Sequence, residues 1–243
     1  MIEERVTSDG VDYTTSYEYA IDGSLLKKTD RDGRVTAYYN DNFGRQVLER
    51  TYDSLADFTA VATPNRERVS TYNVFSWAIT ITEGEVHRRY GYDGLGRRAS
   101  VTDSVSGMPE VVYTSAHSPA GQLTGLSATI DGVADFADAF TYNARGLLDS
   151  ITRTGQSGGH AVADFHATVA YDDAGRQSQI DRYASAGTSA LAVTTAFTHD
   201  EFGRLTALDH TQGATSLAAY SWSYDAAGQL LGQSSPDGSV VYS

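Results

Sequence analysis

Tyr90-Gly91-Tyr92-Asp93-Gly94-Leu95-Gly96-Arg97-Arg98-Ala99-Ser100-Val101 decides how the rest of the chain is read. Its two tyrosines alternate with a glycine, the period of a strand whose successive side chains point to opposite faces. Asp93 can bond the turn backbone, and Gly96 can take a positive φ. An apolar residue, Val101, returns five places after Gly96. The stretch predicts a β-hairpin that turns between Tyr92 and Arg97.

The same unit recurs: an aromatic, Asp or Asn, two variable residues, Gly, then often Arg. Near-ideal copies are Tyr171-Asp172-Asp173-Ala174-Gly175-Arg176, His199-Asp200-Glu201-Phe202-Gly203-Arg204 and Asn40-Asp41-Asn42-Phe43-Gly44-Arg45. Weaker copies centre on Gly23, Gly121, Gly146 and Gly228, the last preceded by Tyr224-Asp225, and Tyr72-Asn73-Val74-Phe75-Ser76 has Ser in the glycine slot. These nine units stand 21, 32, 20, 25, 25, 29, 28 and 25 residues apart, so insertions fall in loops. Alternating pairs such as Phe140/Tyr142, Val169/Tyr171, Phe197/His199 and Trp222/Tyr224 precede the turns, and Leu126, Ile151, Ile180 and Leu208 follow at the odd offset, which leaves room for a bulge.

All four units with Arg after the glycine also carry Asp after the slot residue: Asp41/Arg45, Asp93/Arg97, Asp172/Arg176 and Asp200/Arg204. Of the five units without that Arg, only one keeps the Asp, at Asp225. The covariation implies that the two side chains pair across the turn. If exposed, such a pair is weak and shapes the turn more than it holds the fold. Asp-Gly pairs at 9–10, 32–33, 131–132 and 237–238 alternate with these units and mark the return turns of a meander. The segment Leu55 to Arg68 reads as a surface loop or a short helix capping the sheet.

Composition agrees with an all-β chain: 16 Tyr and 23 Gly against 4 Pro in 243 residues. A net charge of −13 without any basic run argues against nucleic acid or an anionic membrane surface as partner. No apolar stretch is long enough to span a bilayer, and the opening Met1-Ile2-Glu3-Glu4-Arg5 is not a signal peptide. Absence of Cys removes disulfides, thiolate metal sites and cysteine nucleophiles together.

Catalytic and metal readings find little support. Asp30-Arg31-Asp32-Gly33 starts like a calcium loop but lacks the later ligands and the closing Glu. The six histidines show no i, i+4 spacing, and His117 and His199 stand in the tyrosine slot. Gly155-Gln156-Ser157-Gly158-Gly159, without a following Lys, reads as a flexible inter-strand loop. Chance carboxylate pairs are expected among 31 acidic residues. The chain is expected to be no enzyme and to need no cofactor or metal. For the tyrosines two roles stay open: ladders along the sheet, or faces that stack on sugars.

Asp30-Arg31-Asp32-Gly33-Arg34-Val35-Thr36-Ala37-Tyr38, running into Asn40 to Arg45, closely resembles the YD repeat of RHS proteins, and the resemblance recurs nearly end to end. Relatives in that family include polymorphic toxins, the C components of insecticidal toxin complexes, and teneurins. The resemblance implies a curved, spiralling antiparallel sheet that forms part of a hollow β-shell, often around a toxin domain, in a secreted or cell-surface setting. The family's terminal core motif is missing here, so residues 1–243 read as a single array of about nine repeats from a longer shell. Geometry agrees: roughly 18 strands at about 4.8 Å make a sheet roughly 86 Å wide, which rolls into a ring of about 27 Å. A 100-residue cargo needs roughly 34 Å. The expected partners are the remaining repeats and the cargo domain, or, for an adhesin, a surface glycan or protein recognised through residues such as Trp77 and Trp222. Open sheet edges would also favour self-association.

Overall fold

The computed structural model describes residues 2–8 and 11–242, so the Asp9-Gly10 turn lies outside the described residues. The chain divides into two compact units, 1–112 and 113–243. The first holds β1 (Ile2–Ser8), β2 (Val11–Tyr19), β3 (Leu25–Thr29), β4 (Val35–Asn40), β5 (Gln46–Tyr52), α1 (Leu55–Thr59), β6 (Arg66–Tyr72), β7 (Ala78–Glu83), β8 (Val86–Tyr92) and β9 (Arg98–Val105). Strand β10 (Val111–His117) falls mostly in the second. It is followed there by β11 (Leu123–Ile130), β12 (Val133–Tyr142), β13 (Leu148–Gly155), β14 (Phe165–Tyr171), β15 (Gln177–Tyr183), β16 (Leu191–His199), β17 (Leu205–Gln212), β18 (Thr215–Tyr224), β19 (Leu230–Ser235) and β20 (Gly238–Val241).

From β1 to β9, and again from β11 to β20, each strand pairs antiparallel with the next. The repeat turns are every second connection and therefore share one edge of the meander within each unit. The odd offset has a specific cause: the register slips just before the slot residue, between Gly91 and Tyr92, Thr141 and Tyr142, Ala170 and Tyr171, Thr198 and His199, and Ser223 and Tyr224. The bulge brings each returning apolar residue opposite its partner: Val101 to Tyr90, Ile151 to Phe140, Ile180 to Val169, Leu208 to Phe197. These pairs make one face apolar. The other is rich in hydroxyls, as in Ser150 opposite Thr168 and Thr152 opposite His166.

Each unit is essentially one layer, and little of it is deeply buried. The buried hydrophobic residues among those described are Val35, Ala37, Tyr52 and Ala128. Tyr52, on β5, packs against α1, and Val35 pairs with it across the ladder. Ser54 caps that helix by accepting from the Asp57 main chain, and Phe58 meets Tyr52 edge to face at 5.6 Å. The chain exposes 15151 Å². A compact 26.1 kDa protein would expose about 10,600 Å², and two separate compact halves about 12,700 Å². The excess means that much of this sheet lacks a covering layer.

Several connections differ from the sequence reading. The Asp30 to Arg34 turn uses the repeat's own hydrogen bonds, Asp30 N to Arg34 O and Gly33 N to Asp30 O, on the opposite edge. Asp131-Gly132 is a two-residue turn with positive φ at both places, whereas Gly238 pairs with Ser235 and is already strand, leaving Pro236-Asp237 as the loop. Two-residue loops also start at Gly84 and Gly213, which carry no Asp-Gly signal. The Leu55 segment is a short helix, but β6 begins at Arg66, inside the expected loop. The Gly155–Gly159 loop is tied down, not loose: Gln156 N donates to Asp135 O, and His160 N to the Asp135 carboxylate at 2.8 Å.

Candidate functional site: the stitched turn edge

Each repeat turn is built the same way. Asp41 N donates to Arg45 O and Gly44 N to Asp41 O, closing a three-residue loop on a left-handed Gly44, φ +75°. The Asp41 carboxylate then accepts from Phe43 N and Arg45 N through Oδ1, and from Arg45 Nε through Oδ2 at 2.7 Å. The pairing expected from covariation is present at Asp93/Arg97, Asp172/Arg176 and Asp200/Arg204, at 2.6 to 2.7 Å. Gly96, Gly175, Gly203 and Gly228 all have φ near +80°. Asp225 makes the same turn with Gln229 in place of Arg.

The carboxyls of Asp41, Asp93, Asp172 and Asp200 are held below the usual Asp range. For Asp41 the leading cause is the Arg45 side chain; for Asp172 it is the Arg176 main-chain N–H. Partial desolvation opposes both.

The arginines also reach past their own turn. Arg45 Nη1 donates to Asn73 O at 2.9 Å, Arg176 Nη1 to Asp200 O at 3.1 Å, and Arg204 Nη1 to Asp225 O at 2.9 Å. Each acceptor is the carbonyl of the Asp/Asn position in the next repeat. In the weaker units, Arg145 contacts the Asp172 carbonyl from the place just before the glycine, and Gln122 Nε2 bonds Gly146 O.

The slot tyrosines return the link. Tyr72, Tyr92, Tyr142, Tyr171 and Tyr224 donate their hydroxyls to Gln46, Ala78, Leu123, Leu148 and Leu205 carbonyls at 2.7 to 3.0 Å. Every acceptor lies two residues past the glycine position of the preceding repeat. Arg45 and Arg204 pack over the rings of Tyr72 and Tyr224 at 5.0 and 4.8 Å, so guanidinium, ring and two carbonyls lock consecutive turns together. Where Trp77 replaces Arg, it stacks between Phe75 and Tyr92 and occupies the space beside Gly96.

This hydroxyl link was missed in the sequence reading, which weighed ladders against sugar stacking. A signal existed: six of nine slots hold Tyr, two His, one Asn, and none Phe. A purely packing role would admit Phe.

No family model matches the chain, and no curated protein matches it in sequence. Similar solved structures do exist. The crystal structure of TcdB2-TccC3-Cdc42 superposes with a TM-score of 0.61 at 15% identity, over 94% of this chain and 14% of that one. TcdB2-TccC3-TEV gives 0.59 at 16%, over 91% and 13%, and a Photorhabdus luminescens Tc holotoxin pore gives 0.58 at 16%, over 91% and 13%. The fold is that of an RHS/YD-repeat sheet. Tandem hairpins of that fold account for the shared turn edge, the bulges and the uncovered layer. This chain spans about a seventh of the length of the chains it resembles. Among the described residues no helix is long and apolar enough to cross a membrane, and no cluster of three His, Cys, Asp or Glu is placed to hold a metal.

Proposed function

We propose that the chain is a wall segment of an RHS-type shell, structural and not catalytic, within a secreted polypeptide that encloses or delivers a toxin domain. The observation that carries this reading is the stitching of turn to turn. Arg and Tyr hold neighbouring repeats at one edge while the faces stay uncovered, the arrangement of a wall whose stability accumulates repeat by repeat. The adhesin alternative relied on surface tyrosines, Trp77 and Trp222; of these, Tyr92 and Trp77 pack on each other within the sheet, and Trp222 stacks on Tyr220 at 6.3 Å.

The test is the native polypeptide, recovered from cells and secreted fractions with an antibody to this segment and imaged by electron microscopy. A product several times larger than 26.1 kDa that forms hollow particles is expected. A product near 26.1 kDa, or a large one without a cavity, would overturn the reading.

A further inference from the structure

On the hydroxyl-rich face of the first unit, β7, β8 and β9 bring six polar side chains into a grid. The register aligns Thr80, Arg89 and Thr102 in one cross-strand row, and Thr82, His87 and Ser104 in the next. Together with Arg88, the six line an open cavity of about 320 Å³. Three neighbouring strand arginines are neutralised, Arg50 by Glu67, Arg66 by Glu83, and Arg88, on the opposite face, by Asp103 through two nitrogens, while Arg98 lies over the Tyr90 ring at 4.7 Å. Arg89 differs because its register partners on both sides are threonines. It is exposed, and no carboxylate pairs with it among the described residues. In a chain with 31 acidic residues, the grid contains none.

We propose that this grid binds a tetrahedral oxyanion, a sulfate or phosphate ester, carried on a body the size of one sugar. The guanidinium offers a fork of donors suited to such a group. Hydroxyls on either side can donate to its remaining oxygens or accept from ring hydroxyls, and Thr82 already orients His87 through Nδ1 at 3.2 Å. The volume lies at the lower end for small-molecule sites and fits a monosaccharide. The site is independent of the wall role, because Arg89 and His87 take no part in stitching the turns.

Calorimetric titration of the 243-residue chain with glucose 6-sulfate, glucose 6-phosphate and glucose tests it. Saturable binding of at least one ester, and not of glucose, is expected. The ester preferred identifies the source of the anion. Arg89→Gln should weaken binding at least tenfold, Arg89→Lys less, and Arg66→Gln, on the opposite face, not at all. Circular dichroism of each variant establishes that it is folded. Absence of saturable ester binding, equal binding by Arg89→Gln, or an equal loss in Arg66→Gln would overturn the proposal.

Discussion

The Tyr171 hydroxyl donates to the main-chain carbonyl of Leu148 at 2.8 Å. Leu148 belongs to the preceding repeat, so this bond crosses the boundary between units that the strand ladder alone would join. Together with Arg176 donating forward to Asp200 O, it makes each turn depend on the turns before and after it.

Tyr171→Phe removes that one bond and leaves the ring in place. The loss expected is about 1 kcal/mol, the net worth of one hydrogen bond plus the unsatisfied half-buried carbonyl. Tyr113→Phe, at an exposed position, should change stability by less than about 0.5 kcal/mol. Urea titration of both variants checks this, and equal effects would refute the role of the slot hydroxyl.

Two glycines at the same turn position should respond differently. Gly44 has φ +75° with open space around it, so Gly44→Ala meets only the left-handed backbone penalty, about 1–2 kcal/mol. Gly96 has φ +80°, and the Trp77 ring stands where its Cβ would go. That ring is held between Phe75 and Tyr92 and cannot easily move. Overpacking should add about 1–3 kcal/mol in Gly96→Ala. Thermal unfolding of the two variants decides whether Trp77 fixes this glycine.

The repeat unit, the hairpins, the bulges and the Asp–Arg pairing were legible because each leaves a periodic or covarying trace in the residues. What was not legible depends on register between strands far apart in sequence. The donation from Tyr142 to Leu123 spans 19 residues, and the Thr80–Arg89–Thr102 row joins three strands; neither spacing repeats strictly enough to be read along the chain. Gly84 and Gly213 start tight turns without an Asp beside them, since a positive φ at the first loop position asks only for glycine.

On the apolar face of the second unit, Arg153 holds Asp138 through two hydrogen bonds of 2.7 Å and lies between Phe136 and Phe165. Asp138 is 5% exposed at its side chain and Arg153 34%. Arg153→Met leaves a carboxylate buried without its cation. The expected loss is about 2–3 kcal/mol, below that of a fully buried pair because Arg153 is partly solvated. Adding Asp138→Leu should recover most of it, since two apolar side chains suit this face. A double variant as unstable as Arg153→Met alone would show that the pair is needed for more than charge balance.

Acid should loosen the turn edge in a defined direction. Asp41 and Asp172 have folded pKa values below the ordinary carboxylate value, held there by Arg45 and by the Arg176 main chain respectively. As pH falls through about 3.9, the unfolded chain takes up protons first. Stability contributed by these groups is therefore complete above that value and is lost as pH falls through the lower, folded pKa. The chain's net charge also changes over this range, so the informative quantity is the difference between wild type and Asp172→Asn. Asparagine keeps an oxygen for Arg176 N–H but has no proton to gain. Asp172→Asn should be less stable than wild type at pH 6, and the gap should narrow as pH falls from there to below about 3.9. A gap that stays constant across that range in denaturant titrations would show that the Asp172 carboxylate charge contributes nothing to the turn.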